Sequence, residues 1–180
     1  MGKKNFSAKT FNSVWTQAIT SLYVNGDKIA PRGKLIKELR NATMELTDPR
    51  YRIVFDPVRD FSLFYAVGEF LWYMSGTNEL DFIKYYNSRM SEFSDDGQTL
   101  NSAYGYRIFG NEHGLIPFNQ FDHVVNQLKD DSATRQAIIH LHTPNNQKTK
   151  DEVCTLCLQF FIRDDSLEMM TTMRSNDIVW

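Results

Sequence analysis

Residues 61–74, Phe61-Ser-Leu-Phe-Tyr-Ala-Val-Gly-Glu-Phe-Leu-Trp-Tyr-Met74, limit the fold more than any other stretch of the chain. The run predicts the strongest helix of the sequence, with Asp60 as its N-cap and Gly76 just past its end. Its apolar residues cover nearly the whole helix circumference, so the helix is expected to be buried on all sides. Glu69 is the only charged side chain in it. A buried carboxylate is costly unless it is paired or hydrogen-bonded, and burial raises its pKa. Two readings fit Glu69: a side chain snorkelling at a helix edge, and a carboxylate placed for a site.

Apolar spacing predicts a second helix over 9–24 (Phe11, Val14, Trp15, Ala18, Leu22), closed before Asn25-Gly26. The turn-rich loop Ala30-Pro31-Arg32-Gly33-Lys34 leads into a strand running through Met44, and Pro49 and Pro57 punctuate the next stretch. A shorter helix is expected over 79–91, then the loop Ser94-Asp-Asp-Gly-Gln98, an irregular segment from Asn101, and a helix over 121–129. Strands are expected over 136–143, 153–162 and 167–173, the last two joined by Asp164-Asp165-Ser166. Interspersed helices and strands, with no repeat or linker, indicate an α/β (α+β) class in one domain over 1–180.

A net charge of −2 and a pI near 6.1 argue against non-specific binding to nucleic acid or to an anionic membrane. Phosphate recognition must then come from a few placed arginines. No run approaches the roughly 20 apolar residues that span a bilayer. The start, Met1-Gly-Lys-Lys-Asn-Phe-Ser7, has no apolar core of a secretory signal, and Phe6 breaks the myristoylation pattern. A cytoplasmic location is expected.

The two cysteines, Cys154 and Cys157, lie in Val153-Cys-Thr-Leu-Cys-Leu-Gln-Phe-Phe-Ile162. In a strand, that spacing puts the thiols on opposite faces, roughly 10 Å apart, so they neither bridge nor share a metal. Cys154 reads either as a small buried hydrophobe or as a nucleophile that needs a neighbour favouring thiolate. Such a neighbour is available on the paired strand, which ends in Met173-Arg174-Ser175-Asn176-Asp177. Arg174 there suits both a thiolate and an anionic substrate. Arg32 and Arg135 read as solvated surface arginines or as phosphate ligands. His140 and His142 share a strand face but have no third ligand, so no metal site is expected.

Taken together, these segments resemble thymidylate synthase and its pyrimidine hydroxymethylase relatives. Gly68-Glu69-Phe70-Leu71-Trp72-Tyr73-Met74-Ser75-Gly76-Thr77-Asn78 is similar to the family's Glu-Leu-Leu-Trp-Phe-Leu-x-Gly-x-Thr-Asn, and Ala103-Tyr104-Gly105 to its Val-Tyr-Gly. Cys154 stands five residues before Gln159-Phe160, and Met173-Arg174-Ser175-Asn176-Asp177 is similar to Gln-Arg-Ser-x-Asp. The resemblance implies a mixed sheet flanked by helices, dimerising through the sheet face. It implies one-carbon transfer from 5,10-methylenetetrahydrofolate to C5 of a pyrimidine deoxynucleotide monophosphate, dCMP or dUMP, through an adduct between Cys154 and C6. Glu69 and Tyr104 would serve the C5 proton through water, and Asp177 would hold the folate pterin. Arg32, Arg174, Ser175 and a partner-supplied Arg135 would bind the phosphate. Trp72, Gln159 and Asn176 would belong to the substrate or folate pocket.

The chain departs from the family pattern at four places. The family's Cys-His is Cys154-Thr155, its Arg-Arg is Arg135-Gln136, and the tryptophans expected between Asp81 and Leu100 are absent. These three are at home in the hydroxymethylase-like branch, so a hydroxymethyl product is expected, with reductive methylation of dUMP as the alternative. The fourth departure is the ending at Ile178-Val-Trp180, before the family's base-reading Asn or Asp. The chain is therefore expected to be truncated and active when completed by its missing C-terminal part, either a second, complementing chain from a split gene or a region lost from this sequence. A non-catalytic dimerising or nucleotide-binding fragment is the alternative of another class.

Overall fold

The computed structural model describes residues 4–110, 118–144 and 148–178. The chain forms two compact units, Met1–Phe61 with Asp177–Trp180, and Ser62–Asn176. Both mix helices and strands, as the α/β class requires. Among the described residues no helix is long and apolar enough to cross a membrane.

In the first unit, β1 (Asn5–Ala8) pairs in parallel with β4 (Thr43–Leu46), and β2 (Asp27–Ile29) pairs antiparallel with β3 (Ile36–Glu38). Helix α1 (Phe11–Asn25) is capped by Thr10, whose hydroxyl accepts from the Ser13 amide at 3.2 Å. Its buried face, Val14 and Ala18, packs on Phe6, and Ala8, Leu39 and Ile178 close the cluster. The indole of Trp15 donates to the Ile178 carbonyl at 2.6 Å. The single strand expected through Met44 is two strands in two different sheets. Asn41, at φ 58°, turns left-handed between them and ends the extended run.

The second unit begins with α2 (Leu63–Ser75). Its N-cap is Ser62 rather than Asp60: the Ser62 hydroxyl accepts from the Tyr65 amide at 3.2 Å. Asp60 is left-handed (φ 47°) and closes the preceding 3-10 turn, Pro57–Arg59. Gly76, at φ 64°, ends α2 as expected. The predicted helix over 79–91 is divided into α3 (Leu80–Tyr86) and a 3-10 turn (Ser88–Glu92). The break comes at Asn87, whose side chain caps the turn by accepting from the Arg89 amide at 3.1 Å. The segment expected to be irregular carries α4 (Tyr104–Phe109). Helix α5 (Gln120–Asp130) precedes β5 (Ile138–His140), β6 (Thr155–Arg163) and β7 (Ser166–Met173), an antiparallel sheet in the order β5-β6-β7.

Two hydrophobic clusters hold this unit. Trp72, Leu80, Ile83, Leu100 and Ala103 join α2 to α3 and to the start of α4. Val124, Ala137, Ile139 and Leu141 join α5 to β5, with Leu158 and Phe160 packed from β6. The burial of α2 differs from the expectation. Gly68 and Trp72 are buried, and Tyr65, Glu69 and Tyr73 are half-buried on the face towards α3 and α4. Leu63, Phe64, Val67, Phe70, Leu71 and Met74 are exposed. A circumference of apolar residues signals neighbours on every side, but this unit covers only one face. Strand β7 is exposed along its length, including Leu167, Met169, Met170 and Met173.

Candidate active site

Cys154 lies one residue before β6, not within a regular strand, and the pairing register shifts between Thr155 and Cys157. The alternation used to separate the two thiols therefore does not run unbroken from one to the other. Both are free and half-buried. What displaces the strand start is a side chain 50 residues earlier in the chain. The Tyr104 hydroxyl accepts from the backbone amides of Cys154 at 3.1 Å and Thr155 at 3.2 Å. One phenol oxygen thus satisfies two successive amides at the point where a ladder would otherwise begin.

From the opposite strand, Arg174 completes the cradle. Its amide donates to the Cys154 carbonyl at 2.9 Å. Its guanidinium donates from Nε to the Val153 carbonyl at 2.8 Å and from Nη2 to the Glu152 carbonyl at 2.7 Å. Arg174 is brought to Cys154, as expected from sequence, through the backbone carbonyls of residues 152–154. Ser175 and Asn176 come next, on exposed chain.

Glu69 is half-buried on the inner face of α2, and the Tyr65 hydroxyl donates to its Oε1 at 3.2 Å. Burial pushes the Glu69 carboxyl up from 4.5, against the smaller opposing effect of that hydrogen bond. Burial, and next the adjacent negative charge of Glu69, push the Tyr65 phenol up to about 12. Tyr73 is raised as well, by burial first and then by Glu69 and Tyr104. Its ring meets Tyr104 edge-on, centroids 5.7 Å apart. Glu69, Tyr73 and Tyr104 thus form a protected line from α2 to the amide of Cys154. The folded state holds the Glu69 proton more tightly than the unfolded chain, so stability should fall as pH rises from 4.5 through the raised value. Glu69→Gln is expected to remove that slope and to be more stable than the parent above it; paired thermal melts across the window check this.

The remaining predicted residues fall in three places. Trp72 is a core residue, 3% exposed, and its indole Nε1 has no hydrogen-bond partner among the described residues. Gln159 faces Arg135: its Nε2 donates to the Arg135 carbonyl at 2.9 Å. The Arg135 guanidinium is exposed and has no hydrogen bond or ion pair among the described residues. Arg32, exposed and left-handed at φ 52°, and Asp177 belong to the first unit. His140 is exposed on β5, while His142 lies 3.7 Å from Glu152.

The family model described as thymidylate synthase matches residues 32–180, most of the chain and parts of both units. The chain belongs to the thymidylate synthase family. A deoxyuridylate hydroxymethyltransferase of Bacillus phage SP01 is 34% identical over 97% of this chain and 48% of that protein. One of Pseudomonas phage M6 is 31% identical over 73% of the chain and 38% of that protein. The chain thus spans about half the length, or less, of these relatives. Thermostable thymidylate synthase A from Bacillus subtilis superposes with a TM-score of 0.49 at 19% identity, covering 64% of this chain and 44% of the other.

Sequence reading missed Tyr65 and Tyr73, which surround Glu69, and Arg107, buried in α4. The tyrosines sit at four-residue spacing on either side of Glu69, a helical-face signal that was there to be read. For Arg107 nothing local distinguishes a buried guanidinium from a solvated one.

Proposed function

We propose that this thymidylate synthase-family chain carries the cysteine-bearing part of an enzyme that transfers a one-carbon unit to C5 of a pyrimidine deoxynucleotide 5'-monophosphate, dUMP or dCMP. The observation that carries this reading is the cradle of Cys154. Tyr104 holds its amide and Arg174 bonds to its carbonyl and the two preceding ones. A thiol fixed in this way can be aimed at a planar ring, beside a cation that suits an anionic substrate. Cys154 adds to C6 as thiolate, which makes C5 nucleophilic. Glu69 and Tyr104, acting through water, take the C5 proton; burial raises the Glu69 carboxyl above its ordinary range, which favours its holding a proton in the folded protein.

The co-substrate is 5,10-methylenetetrahydrofolate, which supplies the one-carbon unit. The residue set fits it at Glu69, whose Oε2 has no partner among the described residues and can accept from a bound ring or water. Pocket roles for Gln159, Asn176 and Trp72 rest on the family resemblance, as their sequence positions imply. Arg174 and Ser175 take the phosphate, and the unpaired guanidinium of Arg135 reaches the phosphate bound by a second copy across a homodimer. The roles of Arg32 in phosphate binding and of Asp177 at the pterin rest on the family resemblance alone. No step calls for a metal, a membrane or a nucleic acid, and nucleotide and folate as substrates suit the cytoplasm.

Hydroxymethylation is favoured over reductive methylation because the two phage relatives bear the name deoxyuridylate hydroxymethyltransferase. The two units are parts of one family domain, since the family match runs through both. The chain spans about half the length, or less, of these relatives, and the exposed apolar face of α2 and the exposed β7 leave surface for further polypeptide to cover. A non-catalytic, nucleotide-binding role is the second reading, favoured by the span of only 48% of the SP01 protein.

Tritium release from C5-labelled dUMP and dCMP, with methylenetetrahydrofolate, tests the proposal. Release from one of the two is expected and names the base. Nucleotide binding without release, in the protein completed by that further polypeptide, would instead support the non-catalytic reading.

A further inference from the structure

Arg107 is 3% exposed, yet no carboxylate among the described residues forms an ion pair with it. Its guanidinium spends its donors on neutral acceptors. Nε donates to the Asn101 carbonyl at 2.8 Å and Nη2 to the Asn101 Oδ1 at 3.0 Å. Nη1 donates to the Leu141 carbonyl at 2.8 Å and to the Thr143 hydroxyl at 3.2 Å. Burying a cation on neutral partners is costly, and an apolar side chain of similar volume serves packing better. Burial accordingly pushes its pKa down, while the negative charges of Glu152 and Asp151 oppose this.

The charge buys a junction of three segments. Asn101 and Arg107 bracket the start of α4, and Leu141 and Thr143 come just after β5. The third segment leads into Cys154: Asn101 Nδ2 donates to the Asp151 carbonyl at 2.9 Å, and Asp151 Oδ2 accepts from the Ser102 amide at 2.8 Å. Gln120 locks the far side, donating to the carbonyls of Arg107 at 2.8 Å and His140 at 2.9 Å. Tyr104 lies three residues before Arg107 on the same short helix, with its hydroxyl on the amides of Cys154 and Thr155. Residues 151–155 are therefore stitched at one end to the segment leading into α4 and at the other to Tyr104 within it, and the planar fork of Arg107 ties that segment and α4 together.

We infer that Arg107 is a positioning residue, whose guanidinium fixes α4 so that Tyr104 holds Cys154 in its reactive placement. The inference rests on Cys154 being the reactive thiol, but its test needs no turnover. Cys157, the second free and half-buried thiol, is an internal control within β6. The full chain and its Arg107→Met, Arg107→Lys and Asn101→Ala variants would be treated with iodoacetamide under native conditions. Peptide mass spectrometry then reads the rate at each cysteine separately.

The Cys154-to-Cys157 rate ratio is expected to change by about tenfold in Arg107→Met. Arg107→Lys, which keeps charge but not the fork, should resemble it rather than the parent. If both thiols change by the same factor, Arg107 is a general brace and the inference fails. An unchanged Cys154 rate in folded Arg107→Met overturns it as well. Should that variant not fold, Asn101→Ala decides, because it removes one acceptor and the Asp151 link while leaving the guanidinium in place: a shifted ratio supports the inference and an unshifted one overturns it. A shifted ratio in a protein that releases no tritium would leave the positioning role standing and sink the catalytic reading alone.

Discussion

Serine at position 154 is expected to leave the protein folded and to lower C5 tritium release by about 10⁴-fold or more. The fold should survive because the contacts at this position are made by its backbone. The Cys154 amide donates to Tyr104 and its carbonyl accepts from Arg174, and Cys154→Ser keeps both. The melting temperature should therefore move by no more than about 4 °C. Turnover should collapse because a serine hydroxyl is scarcely ionised at neutral pH, and among the described residues no hydrogen bond joins the side chain at 154 to a base. Cys157→Ser, on the sheet, should retain activity. Turnover persisting in Cys154→Ser, in an enzyme whose parent is active, would remove Cys154 from the mechanism.

Alanine in place of Gly105 should cause the largest loss of stability of any single methyl group added to this unit. Its Cβ would lie 2.0 Å from the Tyr73 carbonyl oxygen and 2.6 Å from the Tyr73 Cα. These are backbone atoms within α2, so no rotamer change relieves the clash and the two helices must separate. An expected cost of about 3 kcal/mol or more is a large part of a domain's stability. Urea unfolding of the parent and of Gly105→Ala gives the number directly. Separation also withdraws Tyr104 from the edge-on contact with Tyr73, and with it the hydroxyl that holds the Cys154 amide. Activity should fall further than stability alone accounts for. A variant as stable as the parent would show that α2 and α4 do not meet as closely as they do here.

The same two helices mark what was legible in the residues themselves. The existence of α2 is implied by its apolar run and its glycine stop, and its site carboxylate stands out as the one charge in that run. The β6–β7 hairpin is implied by two apolar stretches joined by Asp164-Asp165, both left-handed in the turn. Local chemistry decided these features: periodicity, caps and turn residues act within a few positions of one another. The cap of α2 shows the limit of that range. Asp60 and Ser62 are both good caps, and Ser62 serves because Asp60 was taken by the end of the preceding 3-10 turn.

By itself, then, the sequence determined the class of fold and the family, and it singled out the cysteine, arginine, tyrosine and glutamate proposed for the candidate site. Only the tertiary structure decided how those residues are held. The start of β6 is set by a phenol 50 residues away, because two backbone amides bond to whichever acceptor is brought to them. The face of α2 that is covered depends on where α3 and α4 lie, which a uniformly apolar helix does not encode. Arg107 is the sharpest case. A guanidinium is surface chemistry until carbonyls from distant segments converge on it, and that convergence is a property of three-dimensional packing, not of its neighbours in the chain.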